Sequence, residues 1–299
     1  MKGKICDERG GNMTRFEMVK YHGQTYPSFI PLRIEEIAAH FDVQTVDGNL
    51  GFSLHTEYSY GKRKFDTELI NKYPAIRDAQ KDGVPQLWKN ETWAFQFSDF
   101  IVDLVSEQED PQVIEVHPPF NDYTDMAGFV KNYSVFERRI KERYPGVEIL
   151  IENRCGSVYR GGKFILSKTQ DLLQLADLVN AEGLELKLAY DVPQIYTAHN
   201  VKTEQQYIKW MKEIKDIRWF IGGVHLWGKR VSASGRKVAH CGDLNSYFGD
   251  ETVKESFLKT FVESFDDGVP RKMVLEVNSG NEDLTSIVTD LLAAGVEFV

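Results

Sequence analysis

From about residue 92 onward, short apolar runs alternate with stretches in which apolar residues recur every three or four positions. Gln112–Val116, Val147–Ile151, Glu185–Ala189, Phe220–Val224 and Lys272–Glu276 are the runs, of the kind that a sheet covered on both faces requires. Between them, Phe129, Tyr133, Phe136, Ile140 and Tyr144, and again Val253, Phe257, Phe261 and Phe265, have helical spacing. Ser167 with Gln170, and Thr203 with Gln206, each place a hydroxyl three residues before a glutamine, which predicts helix starts of the capping-box type. Gly183 and Gly295 suit helix ends. This rhythm is that of βαβ units and a parallel sheet. The first ninety residues are less regular. Thr14–Lys20 and Leu50–Leu54 read as strands around a helix at Leu32–Phe41, and Thr56–Glu91 is polar, Lys-rich and unassigned. The expected architecture is α/β, a (β/α)8 TIM barrel with an irregular first β/α unit.

Length and composition agree with one large domain. The 299 residues exceed the usual domain, yet one such barrel takes roughly 250 residues, and no linker, repeat or low-complexity tract divides 1–299. Hydrophobic residues at 42% and charged residues at 27% are enough for a sizeable core. No apolar run approaches the ~20 residues of a spanning helix, and Met1–Arg9 lacks the apolar stretch of a signal peptide. The expectation is a soluble, cytoplasmic protein with no membrane partner. Cys6, Cys155 and Cys241 are odd in number and widely spaced, which excludes a disulfide framework and a CxxC zinc knuckle. A metal would have to use His and carboxylate. The net charge of −9 argues against a surface that coats nucleic acid, though it averages over the whole molecule.

Nearly every candidate strand ends on a metal-competent side chain. His55 follows Gly51-Phe-Ser-Leu, Glu115 and His117 lie in Val-Ile-Glu-Val-His, and Glu152 ends Ile-Leu-Ile-Glu. Asp191, His225 and Glu276 continue the series. Strand C-termini in a parallel barrel open on one face, so these residues would converge. Mixed imidazole and carboxylate donors suit zinc, manganese or iron, and a carboxylate can bridge two ions. Any single member reads equally well as a satisfied polar residue, but an isolated charge at the top of a barrel core is expensive to desolvate unless it is paired or metal-bound. Glu115 shares the inward parity of His117, so it either supports a metal ligand or joins a buried ion pair. His22 and His40 lack the placement and read as surface or helix-face histidines.

The order and spacing of these motifs, from about residue 50 to 290, resemble the xylose isomerase-like TIM-barrel superfamily. That superfamily contains endonuclease IV, the ultraviolet-damage endonucleases, and sugar isomerases and epimerases. Glu152, Asp191, His225 and Glu276 are similar to the single-metal tetrad of the epimerases. His55-Thr-Glu-Tyr58, His117-Pro118, Glu152-Asn153, His225-Leu226 and Gly235-Arg236 leading to His240 look more like the endonuclease IV branch. The endonuclease resemblance implies one ion at His55, His117 and Glu152, and a second at Glu152, Asp191, His225 and Glu276, with Glu152 bridging. A third ion of that branch would need histidine and aspartate where this chain has Gln194 and Val238, leaving His240 alone. His199 reads as a solvent-facing loop histidine.

Cations gather in two loops of the same face. Arg154, Arg160 and Lys163 follow the fifth strand, and Lys229, Arg230, Arg236 and Lys237 follow the seventh. They suit an anionic substrate, a small molecule or a nucleic acid, or else they are ordinary solvated charges. Arg154, Gln194, Trp227, Lys229 and Arg230 are the candidate substrate-binding residues. The leading expectation is metal-assisted hydrolysis of a phosphoester with one or two Zn2+ or Mn2+ ions, Glu152 bridging and Glu276 acting on the water. The alternative is a sugar or sugar-phosphate isomerase or epimerase, in which one ion polarises a carbonyl and Glu152 and Glu276 exchange a proton with carbon.

Overall fold

The structure, a computed structural model, describes residues 13–21, 23–38, 49–56, 67–81, 84–232 and 234–299. Eight parallel strands follow one another around a ring. They are β1 (Thr14–Lys20), β2 (Leu32–Ala38), β3 (Gly51–His55), β4 (Val113–Val116), β5 (Glu148–Glu152), β6 (Lys187–Asp191), β7 (Ile221–Leu226) and β8 (Arg271–Leu275). β8 pairs back onto β1 through Met18↔Met273 and Val19↔Val274, which closes the barrel. A ninth strand, β9 (Val296–Phe298), adds to β1 outside the ring. The (β/α)8 expectation is met.

The helices α1 (Glu91–Val105), α2 (Met126–Arg143), α3 (Thr169–Glu182), α4 (Val192–Ala198), α5 (Glu204–Glu213), α6 (Leu244–Phe248), α7 (Glu251–Ser264) and α8 (Asn281–Ala294) surround the later strands. Their apolar stripes are buried as the spacing requires. Phe129, Tyr133, Phe136 and Ile140 of α2 are fully buried, each contributing about 1.5–3 kcal/mol of apolar transfer. They pack with Trp88, Trp93 and Phe97 in one aromatic cluster. Inside the ring, Val19, Ile34 and Val274 meet at one level, and Val113, Leu150 and Ala189 form a second small cluster. These short aliphatic groups make the floor on which the polar centre rests. No helix of the described residues is long and apolar enough to cross a membrane.

Two expectations need correction, and one unassigned stretch gains structure. Leu32–Ala38 is a strand, not the start of a helix, and the chain between β1 and β2 forms turns among the described residues. Ile34, Glu35, Glu36 and Ile37 are all buried there, because both neighbours in the ring hydrogen-bond to this segment. Ser167 and Gln170 do not form a capping box. Helix α3 starts at Thr169 instead, and Asp171 Oδ2 accepts from the Ser167 and Lys168 amides at 3.0 and 2.8 Å. Thr56–Glu91 contributes two short helices, Thr67–Asn71 and Pro74–Arg77, before α1. The Thr203/Gln206 box is present, and Gly183 and Gly295 end their helices at φ of 63° and 102°. Cys6, His22, His40, Glu57 and Tyr58 lie outside the described residues.

Candidate metal centre

The barrel register gathers the donors. His55 is paired with Glu115 across β3 and β4, and Asp191 with His225 across β6 and β7. Glu152 ends β5, while His117 and Glu276 sit one residue beyond β4 and β8. Two side-chain anchors hold these strand ends. The Trp88 indole donates to the His117 carbonyl at 2.7 Å, and Asn153 exchanges two 3.0 Å hydrogen bonds with the Asp191 backbone.

Within the centre, His55 Nε2 lies 3.1 Å from His117 Nε2 and 3.9 Å from Glu152 Oε2. His117 Nδ1 lies 3.2 Å from the same Glu152 oxygen. His225 reaches Glu115 Oε2 through Nε2 at 3.0 Å and Glu276 Oε1 through Nδ1 at 3.4 Å. His240, held at φ 56° after the Lys229–Ala239 ribbon, places Nδ1 3.3 Å from Glu276 Oε2. His55, His117 and Glu152 offer ligand atoms within 4.8 Å of one another, and so do Glu152, Asp191 and His225. Three members of the expected tetrad, Glu152, Asp191 and His225, thus share one set, while Glu276 touches His225 and falls in a different set.

Glu36 of β2 is a member of the centre that sequence reasoning missed. It accepts from or faces His55 Nδ1 at 3.1 Å, and with His55 and Glu276 it forms a third set of donor atoms within 4.8 Å. An alternating reading of Leu32, Ile34, Glu36 and Ala38 would have placed it on one strand face, ending at the same mouth as the others.

The candidate substrate-binding residues take varied positions. Gln194 is buried and its amide donates to Asp191 Oδ2 at 2.8 Å and to Glu152 Oε1. Trp227 is also buried, donating to Asp191 Oδ2 at 3.1 Å and lying over His240 at 4.3 Å. Arg154 Nη1 contacts Glu152 Oε2 at 2.6 Å. Arg230 makes a two-oxygen contact with Asp283 of α8, both at 2.9 Å. Lys229 is half-buried, its Nζ over the faces of the Trp227 and Tyr247 rings, 6.0 and 5.8 Å from their centroids. His199 belongs elsewhere, accepting from the Thr169 amide at the start of α3 and stacking on Trp210.

The charge of this centre is lopsided. Glu36, Glu115, Glu152, Asp191 and Glu276 are all at most 6% exposed, and Arg154 is the permanent cation among their contacts. Protons supply the rest of the positive charge. Burial disfavours a charged His55, but Glu36 and Glu115 outweigh it and raise the imidazole to about 10. His225 rises well above its ordinary value for the same reason, against Glu115 and Glu276. Burial, reinforced by Glu152 and Glu276, lifts Asp191 to about 7, and burial raises Glu115. His117 moves the other way, with burial lowering it to about 4, so it is a neutral ligand-ready imidazole.

This donor set fits a divalent cation. Zinc–nitrogen bonds of about 2.0–2.1 Å put two ligand nitrogens roughly 3.3 Å apart, close to the His55–His117 spacing. Glu36 Oε2 and Glu115 Oε1 are buried with no hydrogen-bond partner among the described residues, a cost that positive charge in the centre would offset.

No profile of a known protein family matches the chain, and no curated protein matches it in sequence. Its fold is similar to solved structures. An AP endonuclease, family 2, from Brucella melitensis is 10% identical over 93% of this chain and 99% of that one, with a TM-score of 0.49. A sugar phosphate isomerase/epimerase from Parabacteroides distasonis is 13% identical over 88% and 82%, at 0.38. The cellulose synthase subunit Z from Clostridioides difficile is 13% identical over 94% and 100%, at 0.43. At this similarity the likeness is one of fold alone, and the reaction has to be argued from the centre itself.

Proposed function

We propose that this chain is a divalent-metal-dependent TIM-barrel enzyme that hydrolyses a phosphoester, with zinc or manganese held at two positions that share Glu152. The carrying observation is the 3.1 Å approach of His55 Nε2 to His117 Nε2 beside Glu152, next to the separate set Glu152, Asp191 and His225. A single ion held by the second set would leave the first without a task.

Bound divalent ions would activate water near neutral pH and offset charge on the attacking and leaving oxygens. The protein's own groups orient the reaction. Burial opposes an ionised Glu276, but His225 and His240 hold it well below the usual carboxylate range, so it stays an acceptor that can aim a water. Gln194 and Trp227 fix Asp191, and Arg154 fixes Glu152, so neither carboxylate swings away. Burial beside Lys237 pushes the Lys229 ammonium below its ordinary value, and this lysine is the cation placed to meet an anionic substrate, a small molecule or a nucleic-acid strand.

Elemental analysis of protein purified without chelator tests the reading. Two equivalents per chain, with one lost in His117→Ala, are expected. One equivalent that His117→Ala leaves in place would overturn the two-ion hydrolase. The convergence of Glu152, Asp191, His225 and Glu276 would then favour the one-ion isomerase or epimerase, which incorporation of solvent deuterium into ketose phosphates would reveal.

A further inference from the structure

His55 and His225 are alike in a way that the proposed reaction does not require. Each is edge-on to the other at 6.2 Å, and each has one ring nitrogen toward the donor cluster and the other against a buried glutamate. In His225 the glutamate side is Nε2, 3.0 Å from Glu115 Oε2, which leaves Nδ1 facing Glu276. In His55 it is Nδ1, 3.1 Å from Glu36 Oε1, which leaves Nε2 facing His117. The two imidazoles are therefore turned by opposite nitrogens. Glu36 is 4% exposed and Glu115 is 1% exposed, and both come from strand interiors, not loops.

A neutral imidazole carries one N–H, and the nitrogen that keeps it cannot be a ligand. A carboxylate beside one nitrogen takes that N–H as a hydrogen bond, so the other nitrogen presents its lone pair in a fixed direction. We infer that Glu36 and Glu115 are positioning residues, one for each ion. Glu36 holds His55 with Nε2 turned to the position shared with His117 and Glu152. Glu115 holds His225 with Nδ1 turned to the position of Glu152, Asp191 and Glu276. The strand register supports this division, because Glu115 lies beside His55 across β3 and β4, with Oε1 3.7 Å from His55 Nε2, yet its hydrogen bond, accepted at Oε2, goes across the barrel to His225. Proximity alone would have given both glutamates to His55.

The inference rests on the two-ion reading, and the test separates the two. Zn2+ affinity is measured by competition with a chelator for the wild type, Glu36→Gln, Glu115→Gln, and each combined with His117→Ala. Losing a carboxylate behind a ligand histidine weakens metal binding about 10–100-fold. Glu36→Gln should weaken one ion by that factor and leave the other, and it should add little once His117→Ala has removed its ion. Glu115→Gln should weaken the remaining ion in the His117→Ala background by its full factor. Equal effects of both variants on the same ion, or no effect of either, would overturn the assignment while leaving two ions in place. A wild type that holds one ion would overturn the two-ion reading and, with it, the division of one glutamate per ion. Histidine nitrogen NMR of the metal-loaded wild type gives a readout independent of variant folding. His55 protonated at Nδ1 and His225 protonated at Nε2 support the assignment, and either tautomer reversed overturns it.

Discussion

Arg154→Met isolates the one permanent positive charge found, among the described residues, in contact with the buried carboxylates of the centre. Arg154 Nη1 lies 2.6 Å from Glu152 Oε2, and the two side chains are 18% and 2% exposed. Breaking a buried pair by removing one partner costs about 3–5 kcal/mol, because the remaining charge is left uncompensated. Glu152 keeps the Gln194 amide and His117 Nδ1 at 3.2 Å, and Arg154 is partly wet, so the cost falls below that range, to about 2–3 kcal/mol. The effect has a signed pH dependence. Burial pushes the Glu152 carboxyl up, but Arg154 and His117 overcome it and hold it well below the usual carboxylate range. Such a group contributes stability that is fully present above its unfolded value of about 4.3 and is lost as pH falls through its folded value. Methionine removes the strongest opposition to burial and raises the folded value. The unfolded value is common to both proteins, so the deficit of the variant should be full at pH 7 and shrink as pH falls through the variant's raised folded value towards that of the wild type. Urea unfolding at pH 7 and pH 4, in excess chelator, measures it directly. In a thermal scan, 2–3 kcal/mol corresponds to roughly 3–5 °C for a chain of this size. Added Zn2+ should narrow the gap, since an ion beside Glu152 supplies the missing charge. A variant as stable as the wild type at pH 7 in chelator would refute the electrostatic account. So would a deficit that grows on acidification.

Two further substitutions probe how the barrel holds its centre. Trp88→Phe keeps an aromatic ring in the α1–α2 cluster but removes the donor to the His117 carbonyl at 2.7 Å, which should cost about 1–3 kcal/mol and weaken Zn2+ binding as well. Calorimetry and chelator competition on the same sample check both, and a loss of stability with unchanged metal affinity would detach this anchor from the site. Gly228→Ala places a Cβ 2.1 Å from the Gly242 carbonyl oxygen and 2.7 Å from the Asp243 amide, both backbone atoms that cannot rotate away. The loop carrying His240 must shift, so a loss of about 1–3 kcal/mol is expected. A melting temperature equal to the wild type would show that these loops are looser than their packing implies.

The later strands were legible because the barrel buries them on both faces, and short continuous apolar runs are what such strands require. The same closure made the strand-end donors legible, since one ring brings every C-terminal strand end to one mouth. The first unit hid itself for a physical reason. Leu32, Ile34 and Ile37, interrupted by Glu35 and Glu36, fit a helix stripe as well as a strand, and only closure of the ring decides between them. That ambiguity concealed Glu36. Neither could spacing reveal which atom meets which. Gln194 lies between Glu152 and Asp191 because α4 starts directly at Asp191, whose Oδ1 accepts the Gln194 amide at 2.9 Å. Trp227 reaches the same carboxylate because the loop after β7 folds back over the mouth.

The donors of the centre begin at Glu36 on β2 and end at Glu276 after β8, and β8 closes the ring against β1. No contiguous fragment shorter than residues 36–276 holds the complete set. A growing chain that has made only its first six strands carries His55, His117, Glu152 and Asp191, but neither Glu276 nor the strand that joins its ends. Contacts of such long sequence separation form late, because their loop-closure entropy is paid before they return any energy. Capture of the proposed ion would thus be a chemical reporter of topology. The rate at which a refolding chain gained full affinity for it would be the rate at which the strands that close the ring find each other.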